Sequence, residues 1–256
     1  MPHELVTVAC LSDNYAFLVH DTATGETAVI DVPEAAPILS ALQERGWTAT
    51  HILLTHHHAD HVQGLREVLA AHPRAITAGA RADEKRLPRL DIKLSENDTL
   101  TIGGERVEVI DVPGHTVGHI AYLFPQSHLL FTGDSLMALG CGRLFEGSPE
   151  QMFESLGKLR ALPDETLVCS GHEYTTANGR FAATVDPENT ALQERNAETD
   201  RLRAEGKFTV PSTLGLERAT NPYLRCKDPS IRKTLNMDGA SDLDIFTEIR
   251  RRKDNF

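Results

Sequence analysis

Four of the chain's twelve histidines fall within the run Thr55-His56-His57-His58-Ala59-Asp60-His61. Imidazoles fill a core poorly and are costly to bury without partners, so a cluster this dense has a purpose other than packing. A short β-branched stretch, residues 51–55, precedes the run and reads as a strand. Residues 61–71 follow it with an amphipathic helical pattern. The histidines therefore sit on a loop held by a strand end, the usual place for functional side chains.

Three further candidate ligands stand at expected strand ends: His115 after 107–112, Asp134 after 129–132, and His172 after 166–169. Each alone has an ordinary reading, a hydrogen-bonded core histidine or an Asx-turn aspartate. Together, seven ligands on four such loops suffice for two metal ions. The pattern assigns His56, His58 and His115 to one ion, and Asp60, His61 and His172 to the other. Asp134 bridges them, and Asp60 and Asp134 are the two catalytic carboxylates of the centre. Imidazole and carboxylate donors suit zinc, iron or manganese, with zinc the first expectation. His3, His20, His51, His57, His72, His119 and His128 lack such a partner set and read as structural or surface residues. Strand-to-loop alternation points His57 away from its neighbours.

Further strands are expected at 29–32 and 120–124, and helices at 34–45 and 151–160. Beyond residue 173 the strand signals vanish, and helices are expected at 187–205, 213–219 and 241–252. The last opens on a Ser241/Asp244 capping box and closes on a basic turn suited to the helix dipole. The fold class is α/β, with a metal-binding catalytic domain over residues 1–173. A small α-helical domain follows over residues 174–256.

A net charge of −11 argues against nucleic acid, which requires a basic surface. Uninterrupted apolar runs reach only about five residues, against the roughly 20 that a membrane helix needs. No basic flank precedes an apolar stretch at the N-terminus, so no signal peptide is expected. Cys10, Cys141, Cys169 and Cys226 are scattered and form no Cys-x-x-Cys pair, which suits a reducing, cytoplasmic setting. Cys141 has no base adjoining it in sequence and reads as structural. A monomer is expected.

The Thr-His-x-His-x-Asp-His run, with Gly114-His115, Gly133-Asp134 and Gly171-His172, resembles the metallo-β-lactamase superfamily over roughly the first two-thirds of the chain. That resemblance implies an αβ/βα four-layer sandwich with metals at one edge of the sheets. Such a fold hosts many reactions and does not name a substrate. Four segments are more specific: Gly140-Cys141-Gly142-Arg143-Leu144-Phe145-Glu146-Gly147, Gly171-His172-Glu173-Tyr174-Thr175, Asn221-Pro222-Tyr223-Leu224-Arg225, and the ending Ile249-Arg250-Arg251-Arg252-Lys253-Asp254-Asn255-Phe256. They resemble the glyoxalase II family.

This resemblance implies that Arg143, Tyr174, Arg250 and Lys253 hold the glutathione part of a thioester substrate. Position 143 is Arg where many members carry Lys, which keeps the charge and changes the hydrogen-bond geometry. Phe145 stands where some members have Tyr, so a hydroxyl contact is lost there. Arg250 and Lys253 are three apart on one helix face, so both can meet glutathione carboxylates. The alternative reading of the basic ending is a solvated helix terminus.

The implied activity is hydrolysis of S-(2-hydroxyacyl)glutathione, chiefly S-D-lactoylglutathione, to glutathione and D-lactate, the second step of methylglyoxal detoxification. Two divalent ions less two carboxylates and a bridging hydroxide leave the centre near about +1, enough to lower a bound-water pKa towards about 7. A thiolate departs without obligatory protonation, which fits a centre with no obvious general acid. Two rivals are a glutathione persulfide dioxygenase of the same superfamily, which the helical C-terminal segment disfavours, and a non-catalytic binding module.

Overall fold

The computed structural model describes residues 3–256. Its contacts divide into two units, one running through Asp111 and including Val117–Gly133, the other comprising Val112–Thr116 and Asp134–Phe256.

The first unit contains β1 (His3–Cys10), β2 (Asn14–Asp21), β3 (Thr27–Ile30), α1 (Ala35–Arg45), β4 (His51–Leu53), α2 (Ala59–Val62), α3 (Leu65–Ala71), β5 (Ile76–Ala80) and β6 (Ile92–Leu94). It continues through β7 (Thr99–Ile102), β8 (Glu105–Asp111), β9 (Ile120–Phe124) and β10 (Leu129–Gly133). Strands β1 to β6 lie in sequence order in one sheet, antiparallel up to β3 and parallel from there on. Strands β7 to β10 form an antiparallel meander. The two sets meet through aromatic side chains. Phe17 of β2 packs on Phe131 of β10 with ring centroids 5.5 Å apart, and Phe131 packs on Phe124 at 5.6 Å. The buried Tyr122 hydroxyl donates to the Leu54 carbonyl at 2.9 Å, which ties β9 to the loop that follows β4. Each such buried aromatic contributes about 1.5–3 kcal/mol by leaving water.

The helix expected over 61–71 is two helices, α2 and α3, interrupted at Gly64. The Gly64 N–H donates to the Val32 carbonyl, and a Cβ there would lie 2.7 Å from the Ala35 nitrogen. The chain passes too close to the start of α1 for an unbroken helix of larger residues.

The second unit contains β11 (Leu136–Met137), β12 (Gly140–Cys141), α4 (Pro149–Arg160), β13 (Leu167–Ser170), α5 (Thr175–Val185), α6 (Thr190–Ala204), β14 (Ser212–Thr213), α7 (Leu214–Thr220), α8 (Pro229–Leu235) and α9 (Asp242–Asp254). Helix α9 opens on the expected Ser241/Asp244 capping box, and α4 on a second one formed by Ser148 and Gln151. Helix α6 starts later than the sequence suggests, because the Asn189 side chain caps the Leu192 N–H at 3.1 Å. Strands do not vanish entirely beyond residue 173, since β14 pairs antiparallel with β13. Two residues are too few to leave a periodic signal. No described helix is long and apolar enough to cross a membrane.

Candidate metal centre

Strands β3 and β4 are parallel neighbours with Ile30 opposite Leu53, so their C-terminal ends lie side by side. This places Asp31 beside Thr55. Asp31 is buried and takes a left-handed backbone (φ 56°), a conformation that Asp tolerates better than most residues. Its carboxylate accepts from the Thr55 N–H, the Thr55 hydroxyl and His61 Nδ1, each at 2.8 Å.

These bonds fix the tautomers. The Thr55 hydroxyl gives its one hydrogen to Asp31, so at 3.0 Å from His56 Nδ1 it accepts. Both His56 and His61 therefore carry their hydrogen on Nδ1 when neutral, and both present a lone pair at Nε2. Second-sphere bonds of this kind orient metal-binding histidines. One donor atom of His56 lies within 4.8 Å of one on His58 and one on His61, and Asp60 and His61 meet the same limit. The unit thus gathers all four residues of the run that the sequence nominates.

His57 turns elsewhere, as strand-to-loop alternation suggests: its Nδ1 meets the buried Asp83 carboxylate at 2.9 Å. His119 stacks on the His56 ring at 4.6 Å and braces it. Gly133 leaves room for these groups, since a Cβ there would lie 2.5 Å from Thr55 Oγ1 and 2.9 Å from His119.

The second unit gathers the other three. Asp134 Oδ2 lies 3.2 Å from His172 Nε2 and 3.5 Å from His115 Nε2. His115 Nδ1 donates to the Arg143 carbonyl at 2.7 Å. In a neutral His115, Nε2 is then a lone pair facing a carboxylate oxygen, and two electron-pair donors at that distance fit a cation held between them. Gly142 makes this packing possible, because a Cβ there would fall 1.9 Å from the Asp134 carbonyl oxygen and 2.9 Å from His115 Nδ1. Each cluster consists of imidazole nitrogen and carboxylate oxygen donors, the kind that binuclear metal sites of this fold use.

The residues nominated for the substrate lie in the second unit. Tyr174 stacks on His172 with ring centroids 4.6 Å apart and planes 8° from parallel, while the exposed Phe145 meets His115 edge-on at 5.3 Å. Arg250 is 6% exposed, contrary to a solvated helix end. Its guanidinium lies over the Tyr223 ring and donates to the Cys141 carbonyl at 3.0 Å and to Asp254 at 2.7 Å. Arg143 Nε reaches the same Asp254 oxygen at 3.5 Å. Lys253 donates to the Ala177 carbonyl at 3.1 Å and lies against the Phe181 and Phe256 rings. Burial, reinforced by the Arg250 charge, pushes its ammonium pKa down to about 8. Burial likewise pushes the Cys141 thiol up to about 11, so it is no nucleophile near neutrality.

The sequence reading missed Asp31, Asp83 and Asp254. Asp31 alone left a local sign, an acid closing a buried apolar run immediately before Val32-Pro33.

Residues 12–172 match the metallo-beta-lactamase superfamily, and residues 173–256 match the family described as hydroxyacylglutathione hydrolase C-terminus. The chain is 59% identical over 256 residues to the hydroxyacylglutathione hydrolase of Ruegeria pomeroyi, covering 100% of both chains. Among solved structures it is similar to the BLEG-1 B3 metallo-beta-lactamase (TM-score 0.67, 21% identity, covering 87% of this chain and 100% of that one). It is also similar to TTHA1623, solved in a di-iron-bound form (TM-score 0.61, 26% identity, covering 86% of this chain and 100% of that one).

Proposed function

The chain belongs to the hydroxyacylglutathione hydrolase family within the metallo-beta-lactamase superfamily, and from that premise we propose that it hydrolyses the thioester of S-(2-hydroxyacyl)glutathiones, chiefly S-D-lactoylglutathione, to glutathione and D-lactate. The observation that carries the reading is the succession, in one chain, of a seven-donor set and a C-terminal region matched to this hydrolase family. The reaction is then the second step of methylglyoxal detoxification. The four buried free cysteines suit its placement in the reducing cytoplasm.

His56, His58 and His115 would hold one divalent ion, and Asp60, His61 and His172 the other, with Asp134 shared. Zinc suits these donors best, and iron and manganese suit them too. When bound, such a pair supplies a hydroxide near neutral pH and an electrophile for the thioester carbonyl. The chain's own residues do the rest. Asp31, Thr55 and the Arg143 carbonyl keep Nδ1 of three ligating imidazoles protonated, so each Nε2 lone pair stays in place. The leaving thiolate has a pKa of about 8.5 and needs no proton donor. Arg143, Phe145, Tyr174, Arg250 and Lys253 grip the glutathione moiety.

The test is to follow thioester absorbance and dissolved oxygen together as purified protein meets S-D-lactoylglutathione. Absorbance should fall with no oxygen uptake. Oxygen consumption with a glutathione persulfide, and no thioester loss, would transfer the chain to the dioxygenase class.

Lys253 gives this reading a pH signature. Its cation is lost as pH rises through about 8. The groups against it are Arg250 and Asp254 of its own helix, the Ala177 carbonyl of α5, and two aromatic rings. If the ammonium meets a glutathione carboxylate, KM should rise between pH 7 and 9, with kcat changed less. Lys253→Ala should raise KM at pH 7 by roughly tenfold or more and abolish that alkaline rise. An unchanged KM profile in the variant would remove Lys253 from the substrate site.

A further inference from the structure

Asp60, a proposed ligand, gets little support from its own element. It lies in α2, a helix of four residues, and its side chain is 43% exposed. A side chain from far away in sequence holds it. Asn14, the first residue of β2, is buried at 4% exposure, and its Nδ2 donates to both the Asp60 carbonyl at 3.0 Å and Asp60 Oδ2 at 3.1 Å.

An amide nitrogen carries two hydrogens, and these two bonds fall on the backbone and the side chain of the same residue. They clamp the carboxylate relative to its own main chain, which fixes χ1. The clamp is neutral, so Asp60 keeps its negative charge, which an Arg or Lys in that place would offset. The clamped Oδ2 lies 3.9 Å from His61 Nε2, the nitrogen that Asp31 leaves as a lone pair. Two atoms bonded to one ion at about 2.1 Å each lie at most about 4.2 Å apart, so this pair can share an ion.

We propose that Asn14 is a positioning residue that presents Asp60 to one of the two ions and thereby sets the affinity of that ion selectively. The inference rests on the reading of Asp60 as a ligand, and the same experiment tests the two separately.

Metal affinities of the purified holoenzyme are measured by competition with a chromophoric chelator for wild type, Asn14→Ala and Asp60→Ala. Melting of each metal-free protein is recorded alongside. In Asn14→Ala, one ion should bind about 10- to 100-fold more weakly and the other as in wild type. The metal-free protein should melt near the wild-type temperature. Asn14→Ser, which loses less volume and still lacks the amide, should show the same selective loss and replaces the alanine variant if that one does not fold. Wild-type affinity for both ions in the Asn14 variants overturns the proposal. So does equal weakening of both ions accompanied by a lower metal-free melting temperature, which would mark Asn14 as a general folding residue. If Asp60→Ala weakens one ion and Asn14→Ala weakens neither, only the positioning role falls. If Asp60→Ala also leaves both ions tightly held, the ligand reading of Asp60 falls with it.

Discussion

Asp134→Ala should lose at least one tightly held ion and lower kcat by about 10³-fold or more, a loss of roughly 4 kcal/mol of transition-state stabilisation. A single carboxylate oxygen, Oδ2, lies within 3.5 Å of the Nε2 atoms of both His115 and His172. In the proposed centre those histidines serve different ions, so this carboxylate is the group whose removal disturbs both. The loss of negative charge acts in the same direction, because two divalent ions close together repel one another unless anionic ligands offset them. Asp134→Asn keeps a donor oxygen and the side-chain shape, and should retain more metal than the alanine variant. Metal analysis of each purified variant, with kcat on S-D-lactoylglutathione, checks both statements. A variant holding two ions and turning over at near the wild-type rate would remove Asp134 from the centre.

The second large effect is on stability. Glu217 of α7 is wholly buried, and its carboxylate accepts four donors. Arg195 and Ser212 meet Oε1, and the Leu139 N–H and Asn221 Nδ2 meet Oε2 at 2.9 and 3.1 Å. The two hydrogens of Asn221 Nδ2 are shared between that oxygen and the Met137 and Gly140 carbonyls, 3.1 and 2.9 Å away. The network therefore pins the β11–β12 turn, where Leu139 sits at φ 57°. Three residues past that turn's Gly140 comes Arg143. Glu217→Ala would leave Arg195, itself 7% exposed, as a buried cation without its carboxylate. Breaking one side of such a pair costs about 3–5 kcal/mol. For a chain of this size that is a fall in Tm on the order of 10 °C. Because the turn also leads to the proposed glutathione grip, KM should rise more than kcat falls. Replacing both Glu217 and Arg195 by methionine should recover part of the lost stability, since the isolated charge is then gone. Thermal melts of the three proteins test this, and a Glu217→Ala midpoint within about 2 °C of wild type would contradict it.

The proposed donors were legible because each closely follows a short apolar strand. His56, His58, Asp60 and His61 follow β4, Asp134 follows β10, and His172 follows β13. The groups that orient them were not legible, because they come from distant parts of the sequence. Asp31 reaches Thr55 only through the parallel pairing of β3 with β4, and Asn14 reaches Asp60 across 46 residues. Strand order decides such contacts, and local pattern does not encode it.

Among the elements, β5 escaped notice because its sequence, Ile-Thr-Ala-Gly-Ala, is poor in strand-forming residues. It is a strand because parallel partners bond to it on both sides. Its small residues are required by close packing: a Cβ on Gly79 would lie 3.1 Å from Leu87 and Leu90. Helix α5 was hidden in the same way by Thr, Asn and Gly. A Cβ on Gly179 would fall 2.0 Å from Asn196 Oδ1, so the glycine serves the contact between α5 and α6. The Asn221-Pro222-Tyr223 segment was recognised by resemblance alone. Its physical role is the clamp on the β11–β12 turn and the aromatic floor under Arg250.

In the proposed centre, thioester hydrolysis requires two ions held by the seven donors. The most direct measurement of that requirement is a metal titration of the chelator-stripped protein while S-D-lactoylglutathione absorbance is followed. Turnover should be negligible without metal, rise as divalent ion is added, and level off near two equivalents per chain. Turnover of the thioester by fully stripped protein, or none with two ions bound, would contradict the account.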